Sequence, residues 1–344
     1  IDQNTFLLEP VSAENLVNNR NSRNFWCNVK GIGSWSLTGH SAEELSKKFT
    51  EMQDDSEVTA GFMWQKTTRE SKKYQLRGEI LSFIPVDKNV EIMLVTITNT
   101  GRMAQTVTPT AAIPLYGRSA DNIRDHRHVT SLLHRIETTD TGVLVTPTLS
   151  FDERGHQVNH MTYYCVGWSG NGEKPVDFYP TAEDFVGEGG NFERPYAIVK
   201  NAEGVKAGTK IEGLEAVGGL HFSEITLEPE EECSYLIFTG ITEDIQEIRN
   251  LSKTYTTREK VLEELEKTKA YWQEKVNVAY HTGDSDFNQF MHWVSFQPIL
   301  RRIYGCSFLP HHDYGKGGRG WRDLWQDCLA LLIMNPDGVR QMLL

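Results

Sequence analysis

The hydrophobic pattern of the chain changes after Ser234-Tyr-Leu-Ile-Phe-Thr239, and this change decides the fold class. The stretch is short, apolar and aromatic, which is typical of a buried strand. Beyond Gly240 the apolar residues recur near the 3.6-residue period of a helix. They are Val261, Leu262, Leu265, Trp272 and Val276. The sequence therefore predicts strands before this point and helices after it.

Several upstream segments also have the composition of strands. They are residues 79–83, 90–98, 141–148, 161–168 and 225–227. Turn-forming sequences such as Ser169-Gly-Asn-Gly172 separate them. Because many short strands follow one another with few amphipathic helices between them, we expect a large antiparallel β-sandwich rather than a parallel α/β sheet. One helix is predicted at residues 42–52, where Ser41 and Glu44 form a capping box.

Three helices are predicted in the C-terminal part of the chain. A capping box of Thr256 and Glu259 begins the first, the second begins near Ser285, and the third begins near Trp321. Pro298 is expected to kink or end the second helix. Four apolar side chains of that helix share one face: Phe287, Phe290, Met291 and Val294.

These patterns divide the chain into three parts. We assign residues 1–240 to the β-sandwich, 241–282 to a helical linker and 283–344 to the first helices of an all-α domain. The sequence begins with isoleucine and stops soon after a predicted helix start. We therefore expect an internal fragment of a longer protein.

The composition excludes several classes of function. The formal net charge is −12 and the isoelectric point is near 5.4, so phosphate backbones and anionic lipids would be repelled. For this reason we expect neither nucleic acid nor membrane as a partner. In addition, no apolar run is long enough to span a bilayer. The five cysteines form no C-x-x-C pair, which argues against a disulfide framework or zinc site. They indicate a reducing compartment, and we expect a cytoplasmic protein.

The densest group of polar and aromatic residues is Gly318-Arg-Gly-Trp-Arg-Asp-Leu-Trp-Gln-Asp327. Carboxylates, arginine and glutamine form paired hydrogen bonds with sugar hydroxyls, and aromatic rings cover the apolar face of a sugar. The candidate substrate-binding residues in this stretch are Arg319, Trp321, Arg322, Asp323, Gln326 and Asp327. A capped helix with an Arg–Asp ion pair and core tryptophans is the purely structural alternative.

Two other patterns in this region have less support. Residues 315–320 match Gly-x-Gly-x-x-Gly, but no strand precedes the glycines, as a dinucleotide-binding loop requires. His311, His312 and Asp313 include metal-ligating residue types, yet adjacent histidines point in different directions and no further ligand is nearby. We therefore predict neither a nucleotide cofactor nor a metal.

Two groups in the predicted sandwich have alternative interpretations. Asp125-His-Arg-His128, with His134 and Arg135, is either ordinary polar surface or a basic patch that reaches a substrate site. The aromatic residues of the N-terminal strands are predicted to form core rather than a sugar platform. They are Phe25, Trp26, Trp35, Phe62 and Trp64.

The stretch from Gly318 to Leu331 resembles the segment that opens the catalytic barrel in family 94 glycoside phosphorylases. Asn24-Phe-Trp-Cys-Asn-Val-Lys30 and Ile97-Thr-Asn-Thr100 are similar to the sandwich of that family. The resemblance implies an (α/α)6 barrel after the linker. Trp321-Arg-Asp-Leu-Trp-Gln-Asp-Cys328 looks most like the 1,2-β-oligoglucan phosphorylase branch. Gly305-Cys-Ser-Phe-Leu-Pro310 lacks the arginine that cellobiose and chitobiose phosphorylases carry in that region.

The resemblance also implies an activity. Phosphate would attack the anomeric carbon of a β-glucan oligosaccharide in one inverting step and release α-glucose 1-phosphate, with phosphate as co-substrate and no other cofactor. Asp323 and a basic residue of the glycine loop, Arg319 or Lys316, would bind glucose in the −1 subsite. The family's general acid lies further along the chain, so no catalytic residue is assigned here and the segment alone is expected to be inactive.

The resemblance further implies a homodimer of the full-length protein. Two other functions stay open at this point. One is an inverting glycoside hydrolase on the same scaffold, which needs a second carboxylate to activate water. The other is a non-catalytic β-sandwich module that binds carbohydrate, because fold similarity alone does not decide function.

Overall fold

The computed structural model describes residues 6–9, 23–118, 127–152, 155–304 and 321–343. Within these ranges two antiparallel sheets face each other and helices follow them, which confirms the predicted sandwich and the change of pattern after residue 240. Each predicted strand overlaps an observed one. No helix in the described ranges is both long enough and apolar enough to cross a membrane.

The larger sheet contains nine described strands. They are β3 (Asp55–Gly61), β4 (Trp64–Ser71), β5 (Leu76–Phe83), β6 (Val90–Asn99), β8 (Arg135–Thr138), β9 (Gly142–Val145), β12 (Thr162–Ser169), β14 (Lys210–Glu212) and β17 (Glu232–Thr242). Their order across the sheet is β14-β8-β9-β12-β17-β6-β5-β4-β3. The centre is the pair of long strands β6 and β17, which stay in register from Thr98 opposite Glu232 to Val90 opposite Gly240.

The smaller sheet contains six described strands. They are β1 (Asn24–Val29), β2 (Gly33–Ser36), β7 (Gln105–Leu115), β13 (Asp177–Thr181), β15 (Ala216–His221) and β16 (Ile225–Leu227). The order is β13-β15-β7-β1-β2, and β16 also pairs with β7. A separate hairpin joins β10 (Leu149–Asp152) and β11 (Gly155–Val158).

The described helices are short within the sandwich and longer after it. They are α1 (Ala42–Lys47), α2 (Arg127–Ser131), α3 (Ala182–Val186), α4 (Tyr196–Lys200), α5 (Ile245–Thr254), α6 (Arg258–Lys275), α7 (Ser285–Tyr304), α8 (Trp321–Met334) and α9 (Val339–Leu343). Helices α3 and α4 cover the outer face of the smaller sheet, and α5 and α6 cover that of the larger sheet.

The apolar run of β6 follows from this double covering. Met93, Val95 and Ile97 point into the core between the two sheets. Ile92 and Leu94, on the opposite face, pack in the layer beneath α5 and α6. Since both faces of the strand are buried, its sequence lacks the apolar–polar alternation of a half-exposed strand.

Two helix boundaries differ in detail from the sequence prediction. Ser41 Oγ accepts a hydrogen bond from the backbone N–H of Glu44 as expected, but α1 ends at Lys47 rather than at residue 52. Phe49 has a φ of 67°, a left-handed conformation that cannot continue a helix. The N-cap of α6 is Thr257, one residue later than the predicted Thr256. Both changes move a boundary without changing the element.

Helix α7 passes through Pro298 and continues to Tyr304, so of the two predicted outcomes, a kink or an end, Pro298 does not end the helix. Pro298 lacks an N–H donor, but Phe296 and Ile299 on either side are buried against α6 and α8. This packing stabilises the turn that proline weakens. The predicted apolar face is not the buried one, because Phe287 and Phe290 are exposed in the described structure.

The aromatic residues of the sandwich lie mainly in its interior. Phe25, Trp26 and Trp35 are fully buried, which confirms the core interpretation for these three. Phe62, at the tip of the β3–β4 hairpin, is half-buried and contacts the helical region. Its ring lies 4.4 Å from that of Phe296 in α7, measured between centroids. The hairpin therefore connects the larger sheet to the helices that carry the candidate site.

Candidate functional site

Helix α8 holds most of the candidate residues that the structure describes, and one apolar stripe fixes it to its neighbours. Cys328 and Leu331 are buried together with Phe296 and Ile299 of α7 and Trp272 of α6. The stripe recurs at the i, i+3 spacing of one helix face. The remaining faces of the first two turns are left for polar and aromatic side chains.

Asp327 is the innermost polar residue of α8. Its side chain is only 3% exposed, and Arg301 Nε of α7 donates to both carboxylate oxygens at 2.9 and 2.8 Å. A buried carboxylate needs such a partner, because an unpaired charge in the interior costs several kcal/mol. The ion pair bridges α7 and α8 and fixes the rotation of α8 about its own axis.

Asp323 and Asp327 were both predicted to bind substrate, but their environments in the structure differ. Both oxygens of Asp327 accept from Arg301, whereas Asp323, one turn earlier, has a side chain that is 36% exposed. The Arg322 side chain lies beside it, with Nε 3.6 Å from Asp323 Oδ1. Asp323 lies in the first turn of α8, where unpaired backbone N–H groups and the helix dipole favour a negative charge.

The other exposed residues of these turns occur in pairs four positions apart. Trp321 is 70% and Trp325 44% exposed, and their rings meet edge to face with centroids 5.7 Å apart. Arg322 and Gln326 form the next exposed pair around the helix. Asp323 and Asp327 form the acidic pair. Since each residue advances about 100° around an α-helix, the aromatic, the hydrogen-bonding and the acidic pair lie on adjacent faces of α8.

Other candidate residues lie outside the described ranges. They are Lys316 and Arg319 of the glycine loop, the glycines of residues 315–320, His311, His312 and Asp313, and Asp125 and His126 of the sandwich. Within the described ranges, no group of three or more His, Cys, Asp or Glu residues could hold a metal ion.

The proposed basic patch of the sandwich is wrong for His134. This residue is fully buried, and its Nδ1 lies 3.1 Å from the carbonyl oxygen of Leu214. Burial, and then the nearby charge of Arg118, lower the pKa of His134 to about 3, so its ring is uncharged at neutral pH. Arg135 is ion-paired with Glu212 at 3.6 Å. His134 is therefore not part of an exposed basic surface, whereas the Arg135 side chain is partly exposed.

Arg301 is a candidate-site residue that the sequence does not predict. It lies 26 positions before Asp327, in a different helix. The only sequence signal is an Arg-Arg pair in the last turn of α7, and basic residues are common there for reasons of helix polarity alone. The contact becomes visible only when α7 and α8 are packed together.

Among curated proteins, the chain is similar to a glucan synthase. Over 184 residues the chain is 26% identical to the cyclic β-(1,2)-glucan synthase NdvB of Rhizobium meliloti (strain 1021). The match covers 52% of this chain and 6% of that protein. The chain therefore spans a small part of the relative's length.

Solved structures share the arrangement only loosely. A bacterial glucoamylase complexed with acarbose superposes with a TM-score of 0.41 at 10% identity, over 74% of this chain and 32% of the glucoamylase. A family GH92 α-mannosidase from Bacteroides thetaiotaomicron gives a TM-score of 0.38 at 11% identity, over 76% and 29% of the two chains. These values are too low to carry an argument about function.

The family comparison is decisive and confirms the resemblance inferred from the sequence. The model of the glycosyl hydrolase 94 supersandwich domain matches residues 10–258, which is well over half of the chain. That range runs from the N-terminal region to the start of α6 and thus includes the strands of both described sheets. The chain belongs to the glycosyl hydrolase 94 family.

Proposed function

We propose that the chain is part of an inverting glycoside phosphorylase that cleaves β-linked glucose oligosaccharides, 1,2-linked chains above all, with inorganic phosphate to give α-glucose 1-phosphate. The observation that supports this proposal is the start of α8, where Arg322 and Gln326 are exposed and Asp323 is partly exposed beside two tryptophans. Membership of the glycosyl hydrolase 94 family supports the reaction class. The named relative concerns a β-(1,2)-glucan, which supports the linkage.

In this proposal the residues of α8 bind and orient the sugar. Asp323 accepts hydrogen bonds from two neighbouring hydroxyls of one glucose unit, and Arg322 and Gln326 donate to sugar oxygens. Trp321 and Trp325 cover the apolar C–H face of a sugar ring. Asp327 acts as a positioning residue, because its carboxylate is occupied by Arg301.

The proposed chemistry needs little from these residues beyond binding. Phosphate is already an anionic nucleophile, so it attacks the anomeric carbon without a carboxylate base. One carboxylic acid must protonate the leaving oxygen, and we assign this role to no residue of this chain. The orienting contacts accelerate the reaction only if they hold the sugar in the geometry of attack.

The test uses the full-length protein, supplied with phosphate and separate β-1,2-, β-1,3- and β-1,4-linked glucose oligosaccharides. We expect phosphate-dependent release of glucose 1-phosphate, with the highest kcat/KM for the 1,2-linked substrate. Asp323→Asn should lower kcat/KM about 10- to 100-fold, the usual effect of losing hydrogen bonds to a charged group. Asp337→Asn, an exposed carboxylate after α8, is the matched control and should retain activity.

The alternative functions give different results in the same assay. Release of free glucose without a phosphate requirement would show a hydrolase. Binding of the oligosaccharides without turnover in either condition would favour a carbohydrate-binding module. Full activity of the Asp323→Asn variant would remove α8 from the sugar site.

A further inference from the structure

A cleft lies between α5 and the turn that precedes β6, above the outer face of the larger sheet. It encloses a cavity of about 270 Å³. Its polar lining includes Lys88, Asn89, Tyr164, Glu247, Asn250 and Thr254. This α5 cleft shares no residue with α8 or with the predicted substrate-binding residues.

The Tyr164 hydroxyl is the most informative group in the α5 cleft. The residue is only 3% exposed, and it makes no hydrogen bond to any part of the chain that the structure describes. A Cβ atom added at Gly240 would lie 2.3 Å from the Tyr164 hydroxyl oxygen, so the absence of a side chain there leaves room for the phenol. The ring is buried, but the hydroxyl oxygen is not among the fully enclosed polar atoms of the described structure, so it opens to the cleft and can donate to a ligand there.

The surroundings of Tyr164 determine what kind of ligand fits. Glu247 accepts from Thr242 Oγ1 through Oε2, at 2.6 Å, and its negative charge, after burial, raises the pKa of the Tyr164 phenol. Tyr164 is therefore a hydrogen-bond donor at neutral pH. Asn250 and Thr254 add exposed polar groups from α5; the Thr254 hydroxyl donates to the Asn250 carbonyl oxygen and offers its oxygen as an acceptor, and the Asn250 amide N–H groups remain as donors. This mixture of donors and acceptors suits a neutral ligand with many hydroxyl groups.

Lys88, the basic residue among the lining side chains named above, already interacts with other residues of the protein. Lys88 Nζ donates to the Tyr255 hydroxyl at 2.7 Å and lies 3.8 Å from a carboxylate oxygen of Glu264. Its charge is thus compensated within the protein. An anionic ligand would also meet the carboxylates of Asp87 and Glu247, which line the same cavity. These charges favour a neutral ligand over a phosphate or a carboxylate.

The α5 cleft continues into a larger groove of about 650 Å³ that shares Lys88, Asn89 and Glu247 with it. The groove adds the apolar side chains of Ile84, Met161 and Ile241. Small-ligand sites span roughly 300–1,000 Å³, so the two cavities together have room for more than one sugar ring. A groove lined by both apolar and polar side chains suits a chain of sugars, whose rings have C–H faces and hydroxyl edges.

We propose that the α5 cleft binds a β-linked glucose oligosaccharide, with the Tyr164 hydroxyl donating to a sugar oxygen. The glycan's identity rests on the proposed function, whereas the existence of the site rests on the cavity and on the partnerless phenol. Such a site would hold one part of a long glucan while another part occupies the face of α8. Linking two sites in this way raises the effective concentration of the chain.

The test measures equilibrium binding of a β-1,2-linked glucose trisaccharide to the full-length protein by titration calorimetry without phosphate. The Asp323→Asn protein serves as the background, so that binding at α8 contributes little. Tyr164→Phe removes one hydroxyl and keeps the packed ring, and we expect about three- to tenfold weaker binding. Tyr196→Phe, an exposed tyrosine of α4, is the matched control and should bind as the background does.

Asn250→Ala, at an exposed position of α5, provides a second variant that leaves the core unchanged. Unaltered affinity in both Tyr164→Phe and Asn250→Ala would overturn the proposal, as would complete loss of binding in Asp323→Asn. So would the absence of binding by the trisaccharide and by its β-1,3- and β-1,4-linked counterparts. Binding that depends on Tyr164 but occurs without phosphorolysis would support the α5 cleft and refute the proposed function.

Discussion

The β-sandwich and helix α8 use the same residue types in opposite ways. In the sandwich, aromatic side chains such as Phe25 and Trp35 are fully buried and fill the space between the sheets. On α8, Trp321 and Trp325 are exposed and stand beside charged groups. The charged residues differ too, because Asp327 is buried in an ion pair while Asp323 is partly open to solvent. Position in the fold, rather than residue type, therefore separates side chains that fill the core from side chains that are available for binding.

Removing a buried aromatic side chain should destabilise the protein far more than removing an exposed one from α8. Phe25→Ala should lower the free energy of unfolding by about 4 kcal/mol, because it leaves a cavity in a core that does not collapse fully. Trp321→Ala should change it by less than about 0.5 kcal/mol, as expected for an exposed side chain. Urea denaturation followed by circular dichroism measures both. A Trp321 effect as large as that of Phe25 would show that the ring is covered in the full-length protein.

Replacing the two aspartates of α8 should lower the stability of the protein by different amounts. Asp327→Ala should destabilise the protein by about 3 kcal/mol, because Arg301 then keeps a partly buried charge without its main partner. Asp323→Ala should cost less than about 1 kcal/mol, since that carboxylate is solvated. The same denaturation experiment measures both variants. Equal losses would mean that the two carboxylates do not differ in role.

A double variant sharpens the interpretation of Asp327. Arg301→Met combined with Asp327→Leu removes both charges and should recover most of the stability that Asp327→Ala loses. If sugar binding by Asp323 is retained in this double variant, the ion pair serves stability. If it is lost, the pair is needed to orient α8.

The strands of the sandwich could be predicted from the sequence, but the packing of helices on the outer faces of its sheets could not. The apolar run of residues 92–97 was enough to identify a strand, but not to show that α5 and α6 cover its outer face. Short helices such as α3 were missed because five residues are too few to display a helical period. Local pattern therefore identifies the strands, while the layers depend on contacts between distant segments.

The candidate site shows the same limit. The Arg-Asp-x-x-Gln-Asp spacing was sufficient to place the start of a helix and to connect the chain with its family. The pairing of Asp327 with Arg301 could not be predicted, because it depends on how α7 packs against α8. The same holds for Tyr164, which looks like any strand tyrosine in the sequence. Its partnerless hydroxyl is apparent only beside Gly240 and α5.

A pH-dependent prediction concerns buried histidine in the sandwich. The folded-state pKa of His134 is lowered to about 3, whereas an unfolded histidine titrates near 6.5. The unfolded chain therefore binds the extra proton, and stability is lost as pH falls from about 6.5 towards 3. Between pH 6.5 and 5 this residue should account for about 2 kcal/mol.

The His134→Gln variant isolates that contribution. Glutamine keeps a donor for the Leu214 carbonyl but cannot take up the proton, so its stability should fall less steeply between pH 6.5 and 5. The measurement is urea denaturation at several pH values. His281→Gln, an exposed histidine, is the control and should follow the unaltered protein. Parallel pH profiles for His134→Gln and the unaltered protein would contradict the prediction.

The smallest effect concerns a charged group at the edge of the sandwich, where solvent weakens the interaction. Burial raises the pKa of Glu43, but hydrogen bonds from Lys47, Lys73 and Tyr74 outweigh it and lower the value to about 2. The carboxylate thus stabilises the fold above its unfolded pKa, and this contribution is lost as pH falls from about 4.5 towards 2. Because the Glu43 side chain is 30% exposed and solvent screens its charge, Glu43→Gln should cost about 1 kcal/mol at pH 7 and much less at pH 2. A cost that persists at pH 2 would show that Glu43 acts through packing rather than through its charge.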